Sequence, residues 1–375
     1  MSSARSIILA LLGMAGPLAA QQTWTVGPNG MFADLPPAVA VASAGDTILL
    51  SPGYYSATTV DKGLTLVGLA FPVSIQGLLI SGVPCHETVV VQQLGANFFP
   101  GSTSPALRVE NCPGLVLLEN VQVSGINRVH AEFENSGNIV LRACLLIAFD
   151  QPHVIATSRV TVDDTEFSGS PGFFSPSREI LALIDSDVTL TQCHLGSNPW
   201  QPTEHAFSLV QSTLRLVATT WSLPGSTANA EAVGICPSTS QILLPANPPT
   251  TATPTMTGCV TAAGAELPSL SIDDLVRGSA VTLRLYADAS RSAFVFAGLP
   301  AQTQTATPLG PLALASSSYA LAFATAATPT TGVLSVALPT LPPQIPAGTT
   351  FALQAAVAGP QSLRLSAPSM ATVTR

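Results

Sequence analysis

VLLENVQVSG at residues 116–125 and VTVDDTEFSG at residues 160–169 are two copies of one unit. The unit returns as IVLRACLLIA (139–148), VTLTQCHLGS (188–197) and LRLVATTWSL (214–223). Each copy alternates apolar and polar side chains, the period of a strand. Set in register at Val116, Ile139, Val160, Val188 and Leu214, the copies stand 23, 21, 28 and 26 residues apart. Segments that recur every few tens of residues and cannot bury an apolar face alone mark a solenoid. A leucine-rich repeat would keep a stricter period, with leucine at most core positions. Short β-branched segments punctuated by Gly, Pro and Asn leave little room for helix. The expectation is an all-β chain whose larger part is a right-handed parallel β-helix. Its variable step length is taken up by loops at the turns.

The register sorts side chains by face. Val121, Cys144, Thr165, Cys193 and Thr219 form one column, and Val123, Leu146, Phe167, Leu195 and Trp221 another. Both are small or apolar and should point inward. The column between them, Gln122, Leu145, Glu166, His194 and Thr220, should point outward. Cys144 and Cys193 are two coils apart. Ordinary strand spacing separates them by about 9.6 Å, too far for a disulfide. In an exported chain with six cysteines the expected bridges are Cys236–Cys259, closing the Pro/Thr-rich stretch between them, and Cys85–Cys112, on adjacent coils.

Export follows from residues 1–20. Arg5 precedes the apolar run IILALLGMAG, PLAA ends in small residues, and cleavage after Ala20 would leave Gln21 first. The run is shorter than the ~20 residues of a spanning helix. The protein should therefore be secreted, extracellular or at the cell surface, with no transmembrane segment after signal removal. Charged residues are only 9% of the chain, Lys62 is the one lysine, and the formal net charge is −8. That balance excludes nucleic acid and an anionic membrane surface as partners. A hydroxyl-rich, weakly acidic surface suits neutral polar ligands such as glycans, or metal ions.

The segment before the first copies carries a resemblance. PPAVAVASA (36–44) reads as a short helix laid over the open end of the solenoid, which needs protection from edge pairing. TILLSP (47–52) follows as a strand. The run VGPNGMFADLPPAVAVASAGDTILLSPGYYSATTVDKGLTLVG (26–68) resembles the opening of pectin-lyase-like right-handed β-helix proteins. That group includes pectin methylesterases, polysaccharide lyases and many bacterial surface proteins. Asp46-Thr47-Ile48, Ser51-Pro52-Gly53-Tyr54-Tyr55 and Lys62-Gly63-Leu64-Thr65-Leu66-Val67-Gly68 carry the match. The resemblance implies a fold and leaves function to the site.

The solenoid should occupy residues 21–244, and the Pro/Thr-rich residues 245–266 should form a linker or loop. From residue 267 to 375 the pattern changes. VTLRLYA (281–287), SAFVFAG (292–298), YALAFAT (319–325), VLSVALP (333–339), TFALQAAV (350–357) and SLRLSAP (362–368) are strand-like and closely spaced. They predict a small antiparallel β-sandwich. This region resembles a terminal module of exported planctomycete-type bacterial proteins, which implies attachment, sorting or partner binding.

The chain offers few groups for chemistry. HExxH, CxxC and G-x-S-x-G are absent, and His86, His130, His153, His194 and His205 are scattered. No organic cofactor is implied. Asp185 and Asp187, and the pair Asp163-Asp164, carry oxygen ligands of the kind Ca²⁺ takes, although aspartates at turns usually bond local backbone. Glycoside hydrolysis needs two carboxylates roughly 5–9.5 Å apart. Asp163, Glu166 and the Asp185/Asp187 pair are the candidates, with Glu166 and His194 as a neighbouring acid/base pair. The competing reading is a solvated polar ladder in which Asp163 meets Arg142 as a surface ion pair, worth about 0–1 kcal/mol.

Pectin methylesterases carry a Gln-Asp-Thr strand and a Leu-Gly-Arg-Pro-Trp segment. Asp163-Asp164-Thr165 and Leu195-Gly196-Ser197-Asn198-Pro199-Trp200 echo them without the arginine. Lyases of this fold need Ca²⁺-binding aspartates and an Arg or Lys base, which this chain does not match. Two functions stay open. One is a non-enzymatic β-helix displaying a polar face to a polysaccharide or cell-surface glycan. The other is a carbohydrate-active lyase, hydrolase or esterase using Asp163, Glu166 and His194.

Overall fold

The computed structural model describes residues 21–98, 105–125, 130–149, 151–170, 179–197, 205–222, 234–235, 240–245, 256–258, 260–265, 268–307, 310–325, 327–338, 340–342, 344–346, 348–359, 363–366 and 368–373. The signal segment 1–20 and the Cys236–Cys259 pair lie outside them.

Most of the chain is a parallel β-helix with three walls, of 11, 8 and 9 strands among the described residues. One coil shows the path. Leu115–Glu119 lies in the 11-stranded wall, Gln122–Gly125 in the 8-stranded wall and Ala131–Glu134 in the 9-stranded wall. Asn138–Arg142 then returns to the 11-stranded wall beside Leu115–Glu119. Val116 pairs with Ile139, Ile139 with Val160, Val160 with Val188 and Val188 with Leu214, as the repeat predicts. Alternate residues point inward, so one continuous apolar core fills the coil, with Phe133, Phe167 and Phe207 fully buried.

The corners need a backbone that alternation cannot supply. Asn120, Ala143, Asp164, Gln192 and Ala218, between the 11- and 8-stranded walls, all have φ between 48° and 54°. A single left-handed residue turns the chain sharply, and among residues with a Cβ Asn and Asp tolerate it best. The next residue points inward. Cys144 Sγ lies 3.3 Å from Arg142 O, Thr165 Oγ1 donates to Asp163 O at 2.9 Å, and Cys193 Sγ lies 3.3 Å from Thr191 O. Thiol and hydroxyl thus serve one purpose, satisfying carbonyls at the bend. Cys144 and Cys193 are free and buried, and burial pushes the Cys144 thiol up to about 12.

The N-terminal end is closed as expected. A helix at Leu35–Val41 buries Leu35, Ala38 and Val39 over the first coils, and Asp34 Oδ1 accepts from Leu35 N at 2.8 Å. Lys62 Nζ donates to Val39 O at 3.1 Å and Ala42 O at 3.0 Å, satisfying carbonyls at the helix C-terminus. Asp46 accepts from Gln22 N, Trp24 Nε1 and Ser43 N, each at 2.9 Å. Asp46 and Lys62, two of the residues that carry the resemblance, are therefore fasteners of the scaffold.

Two expectations need correction. The solenoid does not stop at residue 244: Met256–Thr257 extends the 9-stranded wall and Val260–Ala265 the 11-stranded wall, inside the stretch read as linker. Cys85 and Cys112 are not bridged. Cys85 is exposed, whereas Cys112 points inward with Sγ 3.2 Å from Glu110 O.

The C-terminal region is a small antiparallel sandwich. Ser269–Ile272, Val281–Tyr286 and Val333–Leu338 form one sheet. Ala293–Thr307, Gly310–Thr325, Thr350–Ala358, Leu363–Leu365 and Ser369–Thr372 form the other. Their facing residues, among them Leu283, Leu285, Val295 and Leu353, make a core of its own. The sandwich lies on the outer face of the 11-stranded wall. Val90, Leu115, Leu117 and Val140 of the wall pack there against Ala313, Leu314, Ala352 and Met370.

Candidate functional site

The corner between the 9- and 11-stranded walls repeats a second left-handed ladder. Asn111, Asn135, Thr157, Asp185 and Gln211 have φ between 45° and 53°. Each is followed by an inward residue: Cys112, then Ser136, Ser158, Ser186 and Ser212, with Ser240 one coil on. Backbone N–H groups of this series donate along the helix axis to the next hydroxyl. The distances are 3.2 Å from Cys112 to Ser136, 3.1 Å to Ser158, 3.2 Å to Ser186, 3.1 Å to Ser212 and 3.3 Å to Ser240. Each serine from 136 to 212 donates in turn to the carbonyl two residues before it, at 2.7–2.8 Å. Cys112 stands in this ladder where the following coils have serine.

Ser186→Ala should cost about 1–3 kcal/mol, because the buried Ser158 N–H loses its acceptor. Ser186→Cys should recover part of the loss, as Cys112 occupies the same kind of position. Urea midpoints at constant m would read both. A loss below about 0.5 kcal/mol for the alanine variant would mean that water replaces the hydroxyl.

Outside this ladder lies a groove of about 690 Å³. Asn111, Asn135, Thr157, Asp185 and Gln211 line it, with Pro113, Gly137, Arg159 and Asp187 along the side facing the 11-stranded wall. The left-handed positions are separated by about 4.8 Å per coil, so the five span about 19 Å along the axis. Asn135 Nδ2 donates to Asn111 Oδ1 at 2.8 Å, which fixes the two amides in line. Asp187 lies between two arginines, 3.8 Å from Arg159 Nε and in direct contact with Arg215 Nη1. A Cβ at Gly137 would meet nothing within 4 Å, so the groove is open there. The groove was not among the sequence expectations. Its signal is the tripeptide series Asn111-Cys112-Pro113, Asn135-Ser136-Gly137, Thr157-Ser158-Arg159, Asp185-Ser186-Asp187 and Gln211-Ser212-Thr213.

The candidate residues divide between faces. Glu166 and His194 are direct neighbours in the 8-stranded wall, and both point outward. His194 Nδ1 lies 2.9 Å from Thr220 Oγ1 and Nε2 lies 3.2 Å from Ser222 Oγ. Asn97 makes the same kind of lattice on that wall, with Ser74 and Ser124 each at 2.7 Å. Asp163 is elsewhere. It points out from the 11-stranded wall and is buried beneath the sandwich, where Ser369 Oγ donates to Oδ2 at 3.3 Å.

The surface ion pair between Asp163 and Arg142 is a third correction. Arg142 is 2% exposed and bonds Glu119, Asp274 Oδ1 at 3.0 Å and Ile272 O at 2.7 Å. The sandwich has turned a ladder expected in water into a buried one. Asp185 and Asp187 sit on the groove. Among the described residues no group of three or more His, Cys, Asp or Glu side chains is placed to hold a metal ion.

No protein-family model matches the chain, and no curated protein matches it. Among solved structures, the enzymatically active domain of tailspike protein 4 from bacteriophage CBA120 is similar at 11% identity and a TM-score of 0.30. The alignment covers 88% of this chain and 64% of that one. This chain thus spans less than two thirds of that domain's length. Among the described residues no helix is long and apolar enough to cross a membrane.

Proposed function

We propose that this is an exported β-helix protein of pectin-lyase-like type that binds a polysaccharide or cell-surface glycan without transforming it. The ligand lies in the groove at the corner between the 9- and 11-stranded walls. The observation that carries this reading is the groove's lining, an axial row repeated coil by coil that is amide or hydroxyl at four positions and carboxylate at Asp185. Amides and hydroxyls both donate and accept, as sugar hydroxyls do, and a row at strand spacing addresses an extended polymer along its length. Each asparagine has two donors and two acceptor lone pairs, more than the Asn111–Asn135 bond uses. The catalytic reading needs Asp163, Glu166 and His194 around one bond. Burial of Asp163 beneath the sandwich, away from the wall that carries Glu166 and His194, weighs against it.

Gly137→Phe tests the groove. The added ring enters open space at an ordinary φ, so stability should stay within about 0.5 kcal/mol of the parent. Retention on immobilised bacterial and algal polysaccharides should weaken by about tenfold or more. Unchanged retention would move the ligand to another face, and no retention of the parent on any glycan would remove the proposal. Release of sugar by the parent but not by Glu166→Gln would establish the enzymatic alternative.

A further inference from the structure

Where the sandwich meets the solenoid, acids outnumber bases among the described residues. The carboxylates that face the junction from the solenoid are Glu119, Asp163 and Asp164, and those from the sandwich are Asp273 and Asp274. Two cations stand against them, Arg142 from the wall and Arg284 from the sandwich. Arg142 is committed to Glu119 and Asp274, and Arg284 Nη1 to Asp273 Oδ1 at 2.6 Å. Asp164 is exposed at the corner. Asp163 is the acid left over. It is 3% exposed, its Oδ1 is buried without a hydrogen-bond partner, and Oδ2 has the long bond from Ser369. Ser271 of the sandwich, Cys193 of the next coil and Tyr286 of the sandwich are its remaining polar or titratable neighbours.

We propose that Asp163 is a proton-operated latch: protonated, it lets the sandwich seat on the 11-stranded wall, and ionised, it loosens the seat. Two further features support this. Each body has its own apolar core, and among the described residues the apolar contact between them is one small third cluster, so the sandwich can leave as a unit. Burial also raises the Asp163 carboxyl to about 7, with Ser271, Arg142 and Ser369 pulling the other way. On undocking, the carboxyl returns to water and towards its ordinary value of 3.8. Docking then takes up a proton between those limits. Its equilibrium constant falls about tenfold per pH unit from near 4 to near 7 and levels above that.

Hydrogen exchange separates docking from folding. Thr372 N–H donates across the junction to Glu119 Oε2 at 3.1 Å, whereas Ala355 N–H donates within the sandwich to Ser366 Oγ at 2.9 Å. The expected result is a Thr372 protection factor that falls about tenfold per unit between pH 4 and 7 while that of Ala355 holds. Asp163→Asn should flatten the Thr372 profile. Equal Thr372 protection at pH 4 and 7 in the parent would overturn the latch, as would parallel loss at both amides. A slope that survives in Asp163→Asn would overturn it too. If that variant does not fold, the two amides of the parent still decide.

Discussion

Arg142→Met should destabilise the protein by about 3–5 kcal/mol, a large share of the ~5–15 kcal/mol that holds a typical domain together. The arginine is the centre of a buried ladder that runs across coils on the outer face of the 11-stranded wall. Gln92 Nε2 donates to Glu119 Oε2 at 2.7 Å, Glu119 also accepts from Arg142 and from Thr372 N, and Arg142 donates to Ile272 O. Methionine matches the length of the stem and removes the charge. Glu119, 1% exposed, would keep its amide donors and lose its counter-ion. Burial already raises its carboxyl above the ordinary range, and Arg142 is the first influence opposing that rise. The cost is therefore that of an uncompensated buried acid.

The double variant Glu119→Gln with Arg142→Met should recover much of the loss, because neither charge then remains. A double-mutant cycle in urea, using Glu119→Gln alone as the third corner, gives the coupling. A loss below about 1 kcal/mol for Arg142→Met would show the ladder hydrated, and hence the sandwich unseated in solution.

That ladder shows where sequence reading succeeds and where it stops. Alternation along VLLENVQVSG and its copies gives the strand register to the residue, because each inward side chain must find an apolar neighbour one coil away. The outward positions of the same copies run Leu117, Val140, Thr161, Thr189 and Arg215, apolar at one end and polar at the other. An apolar outward pair is the mark of a covered patch. Its cover, Leu314 and Met370, lies far along the chain in a differently patterned region, and no repeat links the two.

The groove is hidden for another reason. The inward corner residue stands two positions before Val160, Val188 and Leu214, but three before Ile139 and four before Val116. Alignment on the strands therefore smears the corner series that an alignment on the serines would show. The extra residues at Pro113-Gly114 and Gly137 are part of what shapes the groove.

The second large effect is a pair of opposed pH slopes. His153 occupies an inward column of the 9-stranded wall, between Ala131 of the preceding coil and Leu181 of the next. Its Nδ1 accepts from Ala131 N at 3.0 Å, and its ring meets Phe167 edge to face at 5.9 Å. Nδ1 as acceptor leaves the ring neutral, with the proton on Nε2. Burial pushes the imidazole down to about 3 from 6.5, so the unfolded chain binds the extra proton between those values. Its contribution to stability is whole above pH 6.5 and is lost as pH falls towards 3, at about 1.4 kcal/mol per unit. Asp163 acts in the other sense. Its carboxyl is raised, so its contribution is whole below pH 3.8 and is lost as pH rises to about 7, about 4 kcal/mol in all.

Between pH 4 and 6.5 the two slopes cancel, and each single variant should expose the other group. In His153→Asn, whose Oδ1 can replace Nδ1 as acceptor for Ala131 N–H, stability should fall with rising pH relative to the parent. In Asp163→Asn it should rise with pH by a similar amount. Urea unfolding at half-unit steps across that window measures both differences, and referring each variant to the parent removes the titrations they share. Parallel profiles for all three proteins would mean that both groups keep ordinary pKa values, with water reaching the solenoid interior at His153 and the sandwich junction at Asp163. A tilt in one variant alone would assign the dry environment to that site and withdraw it from the other.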